Sequence, residues 1–219
     1  MSDERTVEIT VPGVGKLTGD LTVPEDSRGI VLFAHGSGSS RLSPRNRQVA
    51  EQLRQRGLAT MLIDLLTPEE GLTDEVDRSL RFDIGLLAER LETVTRWLAE
   101  EPTTKALPLG YFGASTGAAA ALLAASRLPD AVDAVVSRGG RPDLAGDSLN
   151  DVAAPTLLIV GGRDDVVLEL NRDALDRLGG PRQLEVVPEA THLFEEPGAL
   201  EQVAELAGDW FARHLGRGL

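Results

Sequence analysis

The chain contains no cysteine, which excludes disulfides, thiolate metal sites and a cysteine nucleophile. Lysine is almost as scarce: Lys16 and Lys105 are the only two among 22 basic residues. Thirty-five acidic residues outnumber the basic ones and leave a net charge of −13. A surface of that sign repels nucleic acid and anionic membranes, so neither is expected as a partner. No apolar run approaches the ~20 residues needed to span a bilayer. Residues 1–5 are polar and acidic and do not read as a secretory signal. A cytoplasmic protein is the expectation. Histidine is limited to His35, His192 and His214, so chemistry that needs an imidazole has few places to reside.

What is present is ordinary for a globule: 42% hydrophobic and 26% charged residues over 219 positions, enough for one full core. Residues 1–219 are therefore read as a single domain, with no repeat, low-complexity tract or long linker. Residues 7–11 and 17–23 alternate apolar and polar around Pro12-Gly13-Val14-Gly15, which predicts an antiparallel hairpin at one sheet edge. Further strands are predicted near residues 30–34, 59–64, 107–112, 132–137, 156–160 and 184–187. Helices are predicted near residues 46–55, 82–99, 116–126, 168–178 and 199–214. Apolar runs alternating with amphipathic helices imply a mostly parallel, eight-stranded α/β sheet with helices on both faces. Residues 67–79 are acidic, show no apolar periodicity and read as a surface loop.

One segment breaks the routine. Residues 109–114 form an apolar run that enters Gly113-Ala114-Ser115-Thr116-Gly117, and an alanine-rich helix leaves it. Driving a strand straight into a helix places the central residue on a tight turn with its side chain pushed out, and small residues at both ends let the flanking backbones pass closely. Ser115 is the expected nucleophile. The plainer reading, a glycine turn with Ser115 as a helix cap, is disfavoured by the order of other groups along the chain.

A serine hydroxyl needs a base, and the base needs a third group to fix its tautomer. On a strand–turn–helix frame these follow in the order Ser, Asp or Glu, His. His192 falls just beyond the strand-like run 183–187, on a loop that can reach over a nucleophile. His214 lies in the last amphipathic segment and is read as a solvated helix residue; His35 is read as shaping a loop. The acid comes from Gly161-Gly162-Arg163-Asp164-Asp165, after the apolar run 156–160. Asp164 is the choice and Asp165 the alternative, with Asp165 suited to capping the following helix. For the oxyanion, one donor is expected from Thr116 N–H and the other from Ser37 N–H, in the glycine–serine loop after residues 30–34. Ser37, Ser115, Asp164 and His192 all fall just past predicted strand ends, where ligands sit on parallel sheets. Arg45 and Arg138, on two arginine-bearing loops at the same end, are candidates for holding a substrate carboxylate or phosphate. The favoured expectation is nevertheless that the loop arginines pair with the abundant acids.

The motifs HGSG at 35–38, GASTG at 113–117, GGRDDVV at 161–167 and ATH at 190–192 resemble the α/β-hydrolase superfamily, in its small, lidless dienelactone-hydrolase-like branch. The resemblance covers about residues 7–215. It implies Ser115 as nucleophile, Asp164 as acid and His192 as base. Dienelactone hydrolases use a cysteine nucleophile, which this chain lacks, so the resemblance implies a serine esterase-type enzyme acting on small or short-chain esters rather than on dienelactone. No metal and no organic cofactor are implied, and the expected partner is a small-molecule ester; a homo-oligomer is left open. Two alternatives remain at this stage: a catalytically silent small-molecule-binding protein on the same fold, and an acyltransferase with an acceptor other than water. A short-chain dehydrogenase is disfavoured because its Tyr-x-x-x-Lys pair is absent, and the Walker lysine motif is absent too.

Overall fold

A computed structural model describes residues 3–216; Met1, Ser2 and residues 217–219 lie outside that description, including the first two residues of the polar N-terminal segment. The alternating segments form β1 (Asp3–Val11) and β2 (Gly15–Val23), paired antiparallel from Asp3↔Val23 to Val11↔Gly15. Val14 N–H closes the turn on the Val11 carbonyl at 3.1 Å. The remaining strands are β3 (Ile30–Ala34), β4 (Ala59–Ile63), β5 (Leu109–Ala114), β6 (Ala134–Arg138), β7 (Thr156–Gly161) and β8 (Arg182–Val187). They join in the order β1-β2-β4-β3-β5-β6-β7-β8, with β2 antiparallel to β4 and every later pair parallel. The eight-stranded sheet and its antiparallel N-terminal edge are as the sequence predicts.

Helices α1 (Pro44–Gln55), α2 (Pro68–Asp77), α3 (Ile84–Glu100), α4 (Thr116–Arg127), α5 (Asp165–Arg177) and α6 (Ala199–His214) connect the strands. The central strands are buried on both sides, so successive residues feed two cores. Ile30, Leu32 and Ala34 pack in one with α3, α4 and α5; Val31 and Phe33 pack in the other with α1 and α6. This is why β3 reads as an unbroken apolar run rather than an alternating one.

Two expectations are corrected. Residues 67–79 are not a loop but hold α2, opened by Pro68 and by a capping box in which Glu70 N–H donates to Thr67 Oγ1 and Thr67 N–H to Glu70 Oε2. The helix buries only Asp74, so it has no apolar stripe for periodicity to find. α5 begins at Asp165, not near residue 168, because Asp164 is the cap position and helical backbone starts immediately after it. A 3-10 stretch, Pro142–Asp151, also escaped the sequence reading.

Candidate active site

Ser115 sits between β5 and α4 at φ 52°, ψ −121°, a region that L-residues avoid and that costs on the order of 1–3 kcal/mol. The turn is held from several directions. Ser115 N–H donates to the Arg138 carbonyl at 3.2 Å, and the Ser115 carbonyl accepts from Ala118 N–H at 3.1 Å and Arg141 N–H at 3.2 Å. Two glycines make it fit. A Cβ on Gly36 would lie 3.1 Å from Ser115 Cβ, and one on Gly117 would drive into the carbonyls of Ala34 and His35, 2.7 Å from the Ala34 carbonyl carbon. Gly117→Ala is therefore expected to destabilise the fold by about 1–3 kcal/mol, read as a lowered denaturant midpoint, and to displace the loop after β3. An unchanged midpoint would show that the loop can yield.

Asp164 and His192 meet across two neighbouring loops. The β7 turn and the loop after β8 are laced by Gly162 N–H to the Val187 carbonyl and Arg163 N–H to the Ala190 carbonyl, both at 2.9 Å. That stitching brings Asp164 Oδ2 to 2.7 Å from His192 Nδ1. Asp164 is the aspartate that reaches the ring; Asp165 is exposed on the first turn of α5. His192 and Ser115 line one cavity of about 230 Å³, together with Gly36, Ser37, Arg45, Asn46 and Arg138. Among the described residues no hydrogen bond engages Ser115 Oγ, so the hydroxyl is unengaged on the wall it shares with the imidazole. Such bonds are commonly long in an empty site and tighten with substrate.

The other two histidines sit away from this pairing. The His35 ring joins the loop after β3 to the end of β4: Nδ1 lies 3.0 Å from the Gly36 carbonyl, and Leu65 N–H donates to Nε2 at 3.2 Å. Those bonds specify the neutral ring with its proton on Nδ1, and burial pushes its pKa down. His35 thus shapes the loop, as expected. His214 is not a simply solvated residue: its ring lies 4.5 Å from Trp210, its Nε2 is buried without a hydrogen-bond partner among the described residues, and partial burial, then the charge of Arg213, lowers its pKa.

The predicted oxyanion donors are brought together, but not as two open N–H groups. Thr116 N–H finds no acceptor among the described residues, whereas Ser37 N–H donates to Thr116 Oγ1 at 2.8 Å. On the far side of the same loop lies a larger cavity of about 400 Å³, which shares Gly36, Ser37 and Ser39 with the first and is walled by Leu65, Leu66 and Leu72.

The arginines divide. Arg41 pairs with Asp64 at 2.7 Å, Arg47 with Asp20 at 3.2 Å and Arg141 with Asp143 at 2.7 Å, which is the acid-pairing role. Arg45 reaches Glu195 at 3.2 Å, yet its Nε is buried without a partner among the described residues. Arg138 is different in kind. Only 6% exposed, it has no carboxylate partner among the described residues, its Nε is unpartnered, and its one side-chain bond is a long 3.5 Å contact to Asn46 Oδ1. Its guanidinium lies 5.7 Å from the centre of the Phe194 ring. Burial, then the charge of Arg45, pushes its pKa down to about 10, so it stays charged at neutral pH. Sequence reasoning missed Asn46 and Phe194 as its neighbours, because they lie 92 and 56 positions away along the chain.

Fold and site define the class, an α/β-hydrolase-fold domain with a strand–serine–helix turn beside an Asp–His pair. The chain belongs to the dienelactone hydrolase family, whose model matches residues 17–215. It is similar to the crystal structure of a dienelactone hydrolase from Anabaena variabilis, with 59% identity and a TM-score of 0.95 over 98% of this chain and 99% of that one. It shares the fold of Est1E from Butyrivibrio proteoclasticus at 16% identity, with a TM-score of 0.80 over 97% and 99%. Among curated relatives it is 66% identical over 205 residues to a Mycobacterium tuberculosis protein named "Putative phosphoribosyl transferase". That match covers 94% of this chain but 45% of the relative, so the chain spans less than half the length of the curated relatives it matches.

Proposed function

We propose that this domain is a serine hydrolase of esterase type. The observation that carries the reading is the Asp164–His192 bond at 2.7 Å on the cavity that the strained Ser115 lines. Ser115 Oγ attacks the acyl carbonyl while His192 Nε2 takes its proton, and Asp164 holds the Nδ1 tautomer and stabilises the imidazolium. The carbonyl oxygen becomes an oxyanion at the junction of Ser37 and Thr116. The alcohol leaves with the proton from His192. Water, activated by the same ring, then releases the acid from the acyl-enzyme. The cavity of about 230 Å³ suits small acyl groups. The name of the Mycobacterium relatives belongs to proteins of which this chain matches 45%, and phosphoribosyl transfer is not part of the reading proposed for this chain. Turnover of p-nitrophenyl acetate and butyrate, read beside fluorophosphonate labelling, tests the proposal. A chain that neither turns over nor labels is a silent binding protein; labelling without hydrolysis, rescued by an added alcohol or amine, makes it an acyltransferase.

Arg138 and Arg45 extend this reading to the substrate. A buried guanidinium without an acid partner among the described residues, in a chain of net charge −13, is costly unless an anion arrives with the ligand. The substrate is therefore an ester bearing a carboxylate or phosphate. Arg138→Met should raise KM for an anionic ester such as p-nitrophenyl hemisuccinate about 10–100-fold and leave p-nitrophenyl acetate unchanged, as the loss of a hydrogen bond to a charged group implies. Equal effects on both esters would remove Arg138 from substrate binding.

A further inference from the structure

Thr116 is only 5% exposed and stands at the first position of α4, directly after Ser115. Its Oγ1 accepts the Ser37 N–H at 2.8 Å. The hydroxyl's own proton has no acceptor among the described residues, and neither does the Thr116 N–H. A buried O–H without an acceptor is unusual, because leaving such a donor unmet costs about 1–3 kcal/mol. Both idle donors belong to one residue, three bonds apart, beside the serine on which the oxyanion would form. The Ser37 N–H, by contrast, is already spoken for by a bond that a substrate would have to break.

Resting on the esterase-type reading above, we propose that the Thr116 hydroxyl is itself an oxyanion donor. Thr116 then delivers both bonds, through N–H and through Oγ1–H, and Ser37 N–H stays behind as a positioning group. As Ser115 Oγ bonds to the acyl carbon, the carbonyl π pair moves onto oxygen and the serine proton goes to His192 Nε2. The new oxyanion accepts the two Thr116 donors without any proton leaving the threonine. The Ser37 N–H bond fixes the rotamer of the hydroxyl, so its proton is directed away from the loop. It also polarises the hydroxyl, since hydrogen bonds in a chain reinforce one another. When the tetrahedral centre collapses, the carbonyl re-forms, the alkoxide takes the proton from His192, and the Thr116 donors are idle again. The device separates ground state from transition state, because a hydroxyl bonds an oxyanion far more strongly than a neutral carbonyl oxygen.

Thr116→Val keeps the β-branched shape and removes the hydroxyl. Loss of one oxyanion donor should lower kcat about 10²-fold with KM nearly unchanged. Affinity for phenylboronic acid, which forms a tetrahedral anion on the serine, should fall in step with kcat, whereas affinity for the product carboxylate should hold. Thr116→Ser should retain activity within a few-fold, and Thr116→Ala, which also removes the hydroxyl, should reproduce the valine result if valine fails to fold. Valine or alanine variants as fast as wild type would overturn the proposal, showing that a freed Ser37 N–H serves the oxyanion directly. A serine variant as slow as valine would overturn it too, assigning the residue's role to its methyl group. Labelling of wild-type Ser115 by fluorophosphonate separates the two levels: labelled protein with an undiminished valine variant defeats this inference alone, and unlabelled protein defeats the hydrolase reading beneath it.

Discussion

Ser115→Ala is expected to lower kcat/KM for p-nitrophenyl esters by about 10⁴–10⁶-fold and to abolish fluorophosphonate labelling, the range seen when an activated serine is removed from an otherwise intact site. The loss should come without a change in stability. Ser115 makes no side-chain capping bond to α4, and its hydroxyl has no partner among the described residues, so truncation at Cβ breaks nothing in the fold. Alanine keeps the Cβ, so the strain at φ 52° remains and the denaturant midpoint should move by no more than about 0.5 kcal/mol equivalent. A variant that retains turnover would move the chemistry off this residue. A variant that loses both activity and stability would show that the hydroxyl supports the turn.

Asp164→Asn is expected to lower kcat about 10³–10⁴-fold while Asp165→Asn leaves it within a few-fold. The two residues are adjacent and chemically identical, so the contrast isolates position. Asp164 Oδ2 accepts from His192 Nδ1–H at 2.7 Å and thereby leaves Nε2 as the basic nitrogen. An asparagine there can present its NH₂ to Nδ1 instead, which reverses the tautomer and points a proton, not a lone pair, at the nucleophile. It also removes the charge that stabilises the imidazolium formed during attack. Asp165 faces solvent at the N-terminal turn of α5, where a carboxylate contributes only about 0.3–1 kcal/mol through the helix dipole. Its replacement should appear in thermal melts and not in pre-steady-state bursts. The reverse ranking of kcat would make Asp165 the acid.

The parts of this molecule that could be read from the chain are those determined by neighbours in sequence. β3 matches its predicted residues because five consecutive apolar side chains are buried on both faces. The turn at Ser115 was legible because two glycines, a serine and an alanine-rich start of α4 lie within a few positions of one another. α2 escaped because it buries no apolar side chain, although Thr67, Pro68 and Glu70 spelled its start. Asp164 could be preferred to Asp165 but not separated from it, since the contact that distinguishes them spans 28 positions. The same limit hid the pairing of Ser37 with Thr116, 79 positions apart, and the lack of a carboxylate partner for Arg138 among the described residues. Composition even argued the other way, because so many carboxylates made a paired arginine the natural expectation.

The strained turn at Ser115 has a bearing on the life of the chain before and after it is folded. Its backbone is kept in place by Arg138 and Arg141 from the segment around β6, by Ala118 on α4, and by the close approach of Gly36 from the loop after β3. No local stretch of sequence can hold that geometry alone. A nascent or partly unfolded chain therefore carries an ordinary serine, inert toward the esters around it. On the proposed reading, the nucleophile comes into being only when strands far apart in sequence have docked, so reactivity would certify a finished sheet and disappear when that sheet opens.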